Sequence, residues 1–307
     1  MGLVKLPGED RYASRDLPVA GGALRVGEWE AIGGHRDSSS LPVLAVHGVT
    51  SMHPAWMWVA DRLPARRVLA PDLRGRGHSN ALPGPFGMRA HADDLATVLD
   101  AAGVERAVVV GHSMGAFVTA AFLQHHPDRV AGAVLVDGGL PIPLPAGLSV
   151  EEAMDAVLGP AAQRLGMTFR DHAAYRDFWR QHPAFAHGWD DALESYLDYD
   201  LQGEPPSMTA RTTYEAMAED SRDMFTSGGV QQAAERLPAG TVFLRAPRGL
   251  LDQVPPLYPD ALVEEWQQRL PGLSVSTVPG VNHYTVVIGA GAPVVAAAVE
   301  EVASAAG

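Results

Sequence analysis

Residues 107–116 read Ala107-Val108-Val109-Val110-Gly111-His112-Ser113-Met114-Gly115-Ala116. An alanine and three valines in a row suit a strand covered on both faces. The alanine-rich stretch that follows has a helical pattern from Met114 to about His126 and is ended by Pro127. Between strand and helix stands Gly-x-Ser-x-Gly. A chain that turns directly from strand into helix leaves little room for side chains beside the turn, which two glycines answer. The serine between them is expected in a strained conformation that lifts its hydroxyl out, next to the free N–H groups of the helix start. So short a pattern also arises by chance, and a serine can occupy an ordinary tight turn. The strand before it and the helix after it decide for the sharp turn.

Working outward, strand-like and helix-like segments alternate, the signature of a parallel sheet with crossover helices. Strands are expected at Leu24–Ile32 (an early antiparallel one), Pro42–Val46, Arg67–Ala70, Val130–Val136, Thr241–Leu244 and Leu273–Val278. Helices are expected at Ala55–Leu63, Met88–Ala102, Asp260–Leu270 and from Pro293 onward. Trp56 and Trp58 are read as packing the first of these helices on the sheet. The alternation stops between about Gly139 and Glu235, where no strand-like run is visible but helical patterns and large apolar residues abound. This segment is read as a helical cap, residues 140–235, inserted into a core made of residues 1–139 and 236–307. From Leu140 to Glu235 there are 16 acidic residues against 6 arginines, so most of the chain's net −13 lies here. A solvated outer face explains that excess better than a site for a cation.

With 23 Lys+Arg against 36 Asp+Glu over 307 residues, a nucleic-acid backbone or an anionic membrane surface is a poor partner. The absence of cysteine removes disulfides, thiolate nucleophiles and thiolate-bound zinc together. No histidine pair has metal-ligand spacing with a nearby carboxylate, so neither metal nor cofactor is expected. The first residues contain no signal-like apolar run and no uncharged stretch demands a membrane helix. The expectation is a soluble, cytoplasmic protein acting on a small molecule.

Three further stretches join the serine turn. His47-Gly48-Val49-Thr50 follows the Pro42–Val46 strand, Pro71-Asp72-Leu73-Arg74-Gly75-Arg76-Gly77-His78-Ser79 follows the next, and Pro279-Gly280-Val281-Asn282-His283 follows the last. With these the sequence resembles the α/β-hydrolase family, in its serine-nucleophile branch with a helical cap, over nearly the whole chain from about Leu24 to Ala298. The resemblance implies a mostly parallel, doubly wound sheet and a Ser–acid–His order along the chain. Ser113 is then the nucleophile and His283 the base. The acid is Asp252, in the Gly-x-x-Asp of Gly249–Asp252, with Asp137 at the end of the Val130–Val136 strand as the alternative position. Backbone N–H groups of Val49 and Met114 supply the oxyanion hole. His47 is read as shaping its loop and His112 as packing beside the elbow.

A serine nucleophile excludes the aspartate-nucleophile branches of that family. The mechanism implied is attack by Ser113 on a carbonyl, an acyl-enzyme, and its release by water. Cleavage of a carboxylic ester or lactone of a mostly apolar small molecule is the first reading. Carbon–carbon bond hydrolysis and thioesterase or acyltransferase chemistry use the same triad. A ligand receptor that has kept the triad without turnover is a further alternative, because fold does not fix function.

Overall fold

The computed structural model describes residues 6–32, 40–144, 147–150, 152–153 and 158–307. Strands β1 (Tyr12–Val19) and β2 (Gly22–Trp29) form a hairpin, followed by β3 (Val43–Val46), helix α1 (Met57–Asp61), β4 (Val68–Pro71) and helix α2 (Met88–Ala101). The serine turn joins β5 (Ala107–His112) to α3 (Met114–His125), and β6 (Val130–Val136) follows. After β6 come α4 (Pro160–Gln163), α5 (His172–Arg180), α6 (Asp191–Tyr199), the strands β7 (Leu201–Glu204) and β8 (Ser207–Ala210), α7 (Tyr214–Thr226) and α8 (Gly228–Glu235). The chain then returns to the sheet as β9 (Val242–Arg245), α9 (Asp260–Arg269), β10 (Ser274–Thr277) and α10 (Ala292–Ala306).

Eight strands form one sheet in the order β1-β2-β4-β3-β5-β6-β9-β10. The pairs β1–β2 and β2–β4 are antiparallel and the rest are parallel. From β3 the chain steps to one side for β4, then back across for β5. The sheet therefore switches direction between β3 and β5, and a crevice opens beyond their carboxyl ends. The parallel strands β3, β4 and β5 are buried along their length because helices cover both faces. Trp29, Trp56 and Trp58 pack in the layer on one face, with α1 and α10.

Two elements depart from expectation. β1 is an outer strand, mostly exposed, with Arg15 and Asp16 at its middle, and lacks the apolar alternation that marks a half-buried strand. The insert between β6 and β9 is not purely helical: β7 and β8 form a hairpin, and Phe169 bridges to Met208 at its edge. Each of these strands has four residues, and Leu201, Met208 and Ala210 are their buried members. That is too short for an alternation to register in the sequence. Among the described residues no helix is long and apolar enough to cross a membrane.

Candidate active site

Ser113 adopts φ 55° and ψ −123° immediately before α3. Its N–H donates to Val136 O on β6 at 2.9 Å, which ties the turn to the neighbouring strand. A Cβ at Gly115 would collide with the Val46 and His47 carbonyl oxygens, so only glycine lets α3 pass this close to the end of β3. The strained serine thus follows from the packing of β3, β5 and α3 around it.

His283 lies in the loop between β10 and α10 and is buried. Its Nδ1 is 2.7 Å from Asp137 Oδ2. A carboxylate can only accept, so Nδ1 is the donor, and in the neutral form of the ring Nε2 is left as an acceptor. Asp137 follows directly on β6 and is fully buried, with φ 46°. Its N–H donates to Leu244 O at 2.7 Å, and its Oδ1 accepts from Ala246 N–H at 3.0 Å. Both contacts are with β9 or its end, so the residue is fixed through backbone and side chain alike. Ser113, Asp137 and His283 line one cavity of about 160 Å³, together with Val49, Met114 and a largely apolar wall from α3, the insert and the β9–α9 loop.

The carboxylate beside His283 is therefore the alternative of the sequence reading, not the first choice. Asp252 does lie in the loop after β9, but its Oδ1 accepts from Asn282 Nδ2 at 2.9 Å and from Arg248 Nε at 2.7 Å. About a third of its side chain is exposed. Partial burial opposes its charge, but Asn282 and Arg248 outweigh that and hold its pKa below the ordinary carboxylate value. Asp252 supports the residue before His283. Asn282 uses its Oδ1 to accept the N–H groups of Tyr284 and Thr285, both at 3.0 Å, which shapes the turn that presents the histidine.

Val49 and Met114 both border the cavity beside Ser113. The buried guanidinium of Arg76 reaches each of them, Nε to Val49 O at 2.9 Å and Nη2 to Met114 Sδ at 3.8 Å. Its Nη1 pairs with Asp220 on α7. Asp220 also accepts from His91 Nε2 at 2.9 Å, and from Gly87 N–H. The next carbonyl along, Thr50 O, accepts from Nη2 of the equally buried Arg164 at 2.7 Å. That guanidinium is paired with Asp200 at 2.8 Å, and both residues lie in the insert. Two buried arginines thus hold consecutive carbonyls of the His47–Thr50 loop, each balanced by an aspartate of the insert. The sequence reading singled out Arg76 only as part of a loop, and Arg164, Asp200 and Asp220 not at all. In sequence they look like ordinary surface charges: Arg76 stands between two glycines, and Asp220 sits among Glu219, Ser221, Arg222 and Asp223.

His47 and His112 play the supporting parts assigned to them. His47 Nδ1 donates to Gly48 O at 2.8 Å, and its Nε2 accepts from Leu73 N–H at 2.9 Å. His112 Nε2 donates to His283 O at 2.7 Å, which holds the backbone of the histidine loop. Burial pushes the His47 pKa down to about 3 from an ordinary 6.5. Burial, with His283 close by, holds His112 well below 6.5 as well. Because both native values are depressed, the stability these rings bring is complete above about pH 6.5 and is lost as pH falls toward the native values. Each should take about 1.4 kcal/mol per pH unit from the unfolding free energy below that point. Urea unfolding at pH 7 and pH 5 will show the loss, and His47→Gln will remove one proton's share of the slope. Equal stability at the two pH values would contradict this.

A family model described as the alpha/beta hydrolase fold matches residues 42–284. The chain belongs to the α/β-hydrolase fold family. Among curated relatives, the lipase LipV of Mycobacterium tuberculosis (strain ATCC 25618 / H37Rv) is 39% identical over 116 residues, 38% of this chain and 43% of its own length. A 2-hydroxymuconate semialdehyde hydrolase of Pseudomonas sp. (strain CF600) is 32% identical over 132 residues, 41% of this chain and 44% of its own. The chain thus spans less than half the length of these two relatives. In structure, this α/β-hydrolase chain is similar to E-2-(acetamidomethylene)succinate hydrolase, with a TM-score of 0.76 at 22% identity, covering 95% of this chain and 99% of that one. At that identity the likeness concerns the fold.

Proposed function

We propose that the protein is a serine hydrolase that cleaves esters of a neutral, apolar acyl group of about six carbons through an acyl-enzyme. The observation that carries this reading is the grouping of Ser113, His283 and Asp137 around an apolar cavity of about 160 Å³. In this reading His283 Nε2 takes the proton of Ser113 as Oγ attacks the carbonyl carbon. Asp137 keeps the imidazole in the required tautomer and stabilises its charged form. The N–H groups of Val49 and Met114 meet the developing oxyanion. His283 then gives its proton to the departing alkoxide, and water repeats the sequence to release the acid. The insert acts as the cap, with α7 forming one wall of the cavity.

Size supports the choice of acyl group. A cavity of about 150 Å³ lined by aliphatic and aromatic side chains holds one benzene, so the space here suits a ring or chain of that bulk. A second recess of about 30 Å³ meets the first at Ser113 and His283 and suits a small alcohol. Among the described residues no Arg or Lys lines the larger cavity and most of its wall is apolar, which favours a neutral chain. Carbon–carbon bond hydrolysis would use the same serine and histidine, and the likeness to the semialdehyde hydrolase keeps it as the second reading.

The test is a series of p-nitrophenyl esters from acetate to decanoate, together with a hexyl fluorophosphonate. kcat/KM should peak between butanoate and octanoate, and the fluorophosphonate should add once to the parent and not to Ser113→Ala. A flat profile with no adduct would reject the reading.

A further inference from the structure

The wall of the larger cavity contains two hydroxyls that the proposed chemistry does not use, those of Tyr258 and Ser221. Ser221 lies on α7, is 1% exposed, and borders the same cavity as Ser113 and His283. Its Oγ has no hydrogen-bond partner among the described residues. Serine and threonine within helices ordinarily turn back to a carbonyl one turn earlier. Thr226 does so on this same helix, donating to Arg222 O at 2.7 Å, and Thr119 on α3 donates to Gly115 O at 2.8 Å. Ser221 instead shares the cavity wall with Met224, Phe225 and Leu158. A buried hydroxyl left without a partner is costly, so most such groups in folded proteins are satisfied.

Of the other polar groups on this wall, Ser113 and His283 belong to the proposed chemistry, and the remaining two, Tyr258 and Asp137, are already hydrogen-bonded. Tyr258, on the same wall, donates its O–H to Leu140 O at 2.8 Å. Asp137 is taken up by His283 and Ala246. A water beside Ser221 would need two or more polar partners, which an apolar wall does not offer. A group carried in on the substrate is the remaining source.

We infer that Ser221 is a specificity subsite: its hydroxyl donates to a neutral oxygen acceptor, a ketone or ether oxygen, carried on the acyl chain of the preferred substrate. The inference rests on the ester-hydrolase reading above and narrows its substrate class to a mostly apolar acyl chain that carries one ketone or ether oxygen. A carboxylate in that place is disfavoured, since among the described residues no Arg or Lys lines the cavity to meet it.

Methyl heptanoate and its 4-, 5- and 6-oxo analogues supply the test, with the acid released followed by titration. Methanol is small enough for the minor recess, so the acyl chain takes the larger cavity. One oxo ester should exceed heptanoate in kcat/KM by about tenfold, the worth of one neutral hydrogen bond in a dry site. Ser221→Ala should bring that ratio near one while hydrolysing methyl heptanoate at least as well as the parent. A thermal melt of Ser221→Ala within a few degrees of the parent keeps the comparison on folded protein. A ratio that survives the substitution, or a parent that prefers heptanoate to every oxo ester, overturns the subsite and leaves ester hydrolysis standing. No turnover of any ester together with no fluorophosphonate adduct would remove the underlying reading, and the subsite with it.

Discussion

Asp137→Asn will lower kcat for a hexanoate ester by about 10⁴-fold, and Asp252→Asn will leave it within a few-fold of the parent. The asparagine keeps the shape of the carboxylate but can present an N–H to His283 Nδ1. The ring then shifts its proton to Nε2, the atom that in the proposed mechanism accepts from Ser113, and the imidazolium that this mechanism forms on attack loses its counter-charge. Asp137 touches His283 Nδ1 and is closed off from water, so no solvent dipole can take over its role. Asp252 reaches Asn282 and Arg248 instead. Losing its charge loosens a partly exposed pair, worth about 0–1 kcal/mol at a surface. Initial rates on both variants, beside thermal melts that show each is folded, decide the matter. The opposite ranking would return the acid to the loop after β9.

The sheet and the serine turn could be read from the sequence because each rests on local chemistry. The run Ala107–Val110 is apolar on both faces, and the glycines at 111 and 115 are demanded by backbones in contact. His283 was legible through its place after the last strand. The carboxylate that meets His283 was harder to place, since two aspartates follow strands that border one another, β6 and β9. Which of them meets the histidine depends on how the Asn282 loop folds over the sheet. Asn282 binds Asp252 and so fills the position that the spacing suggested for His283. The hairpin Leu201–Ala210 escaped notice for another reason. It is held by tertiary contact, Phe169 against Met208, rather than by a pattern of its own. The buried arginines were equally hidden, because a sequence does not say which charge finds a partner inside.

Those arginines carry the second large effect. Asp200→Asn and Asp220→Asn will each cost about 3–5 kcal/mol of stability, because each leaves a guanidinium buried without its counter-charge. Arg164 and Arg76 are at most 1% exposed and cannot swing out to water without dragging the chain with them. The consequence extends beyond folding. Arg76 holds Val49 O and Arg164 holds Thr50 O, so the two pairs fix the two peptide planes that follow the N–H proposed to meet the oxyanion. A donor that drifts from its place loses effect in the transition state before it affects the bound ester. The folded variants should therefore lose kcat more than they raise KM, and should bind a trifluoromethyl ketone, a mimic of the tetrahedral adduct, more weakly in step with kcat/KM. Arg164→Met combined with Asp200→Leu separates the two roles. Replacing a whole buried pair by apolar side chains is often close to neutral for stability, so this double variant should melt well above Asp200→Asn. It should nonetheless keep the lowered kcat, because Thr50 O has lost its donor. If it recovers both stability and kcat, the Arg164–Asp200 pair serves the fold alone. If only stability returns, the insert positions the loop on which the proposed oxyanion hole depends.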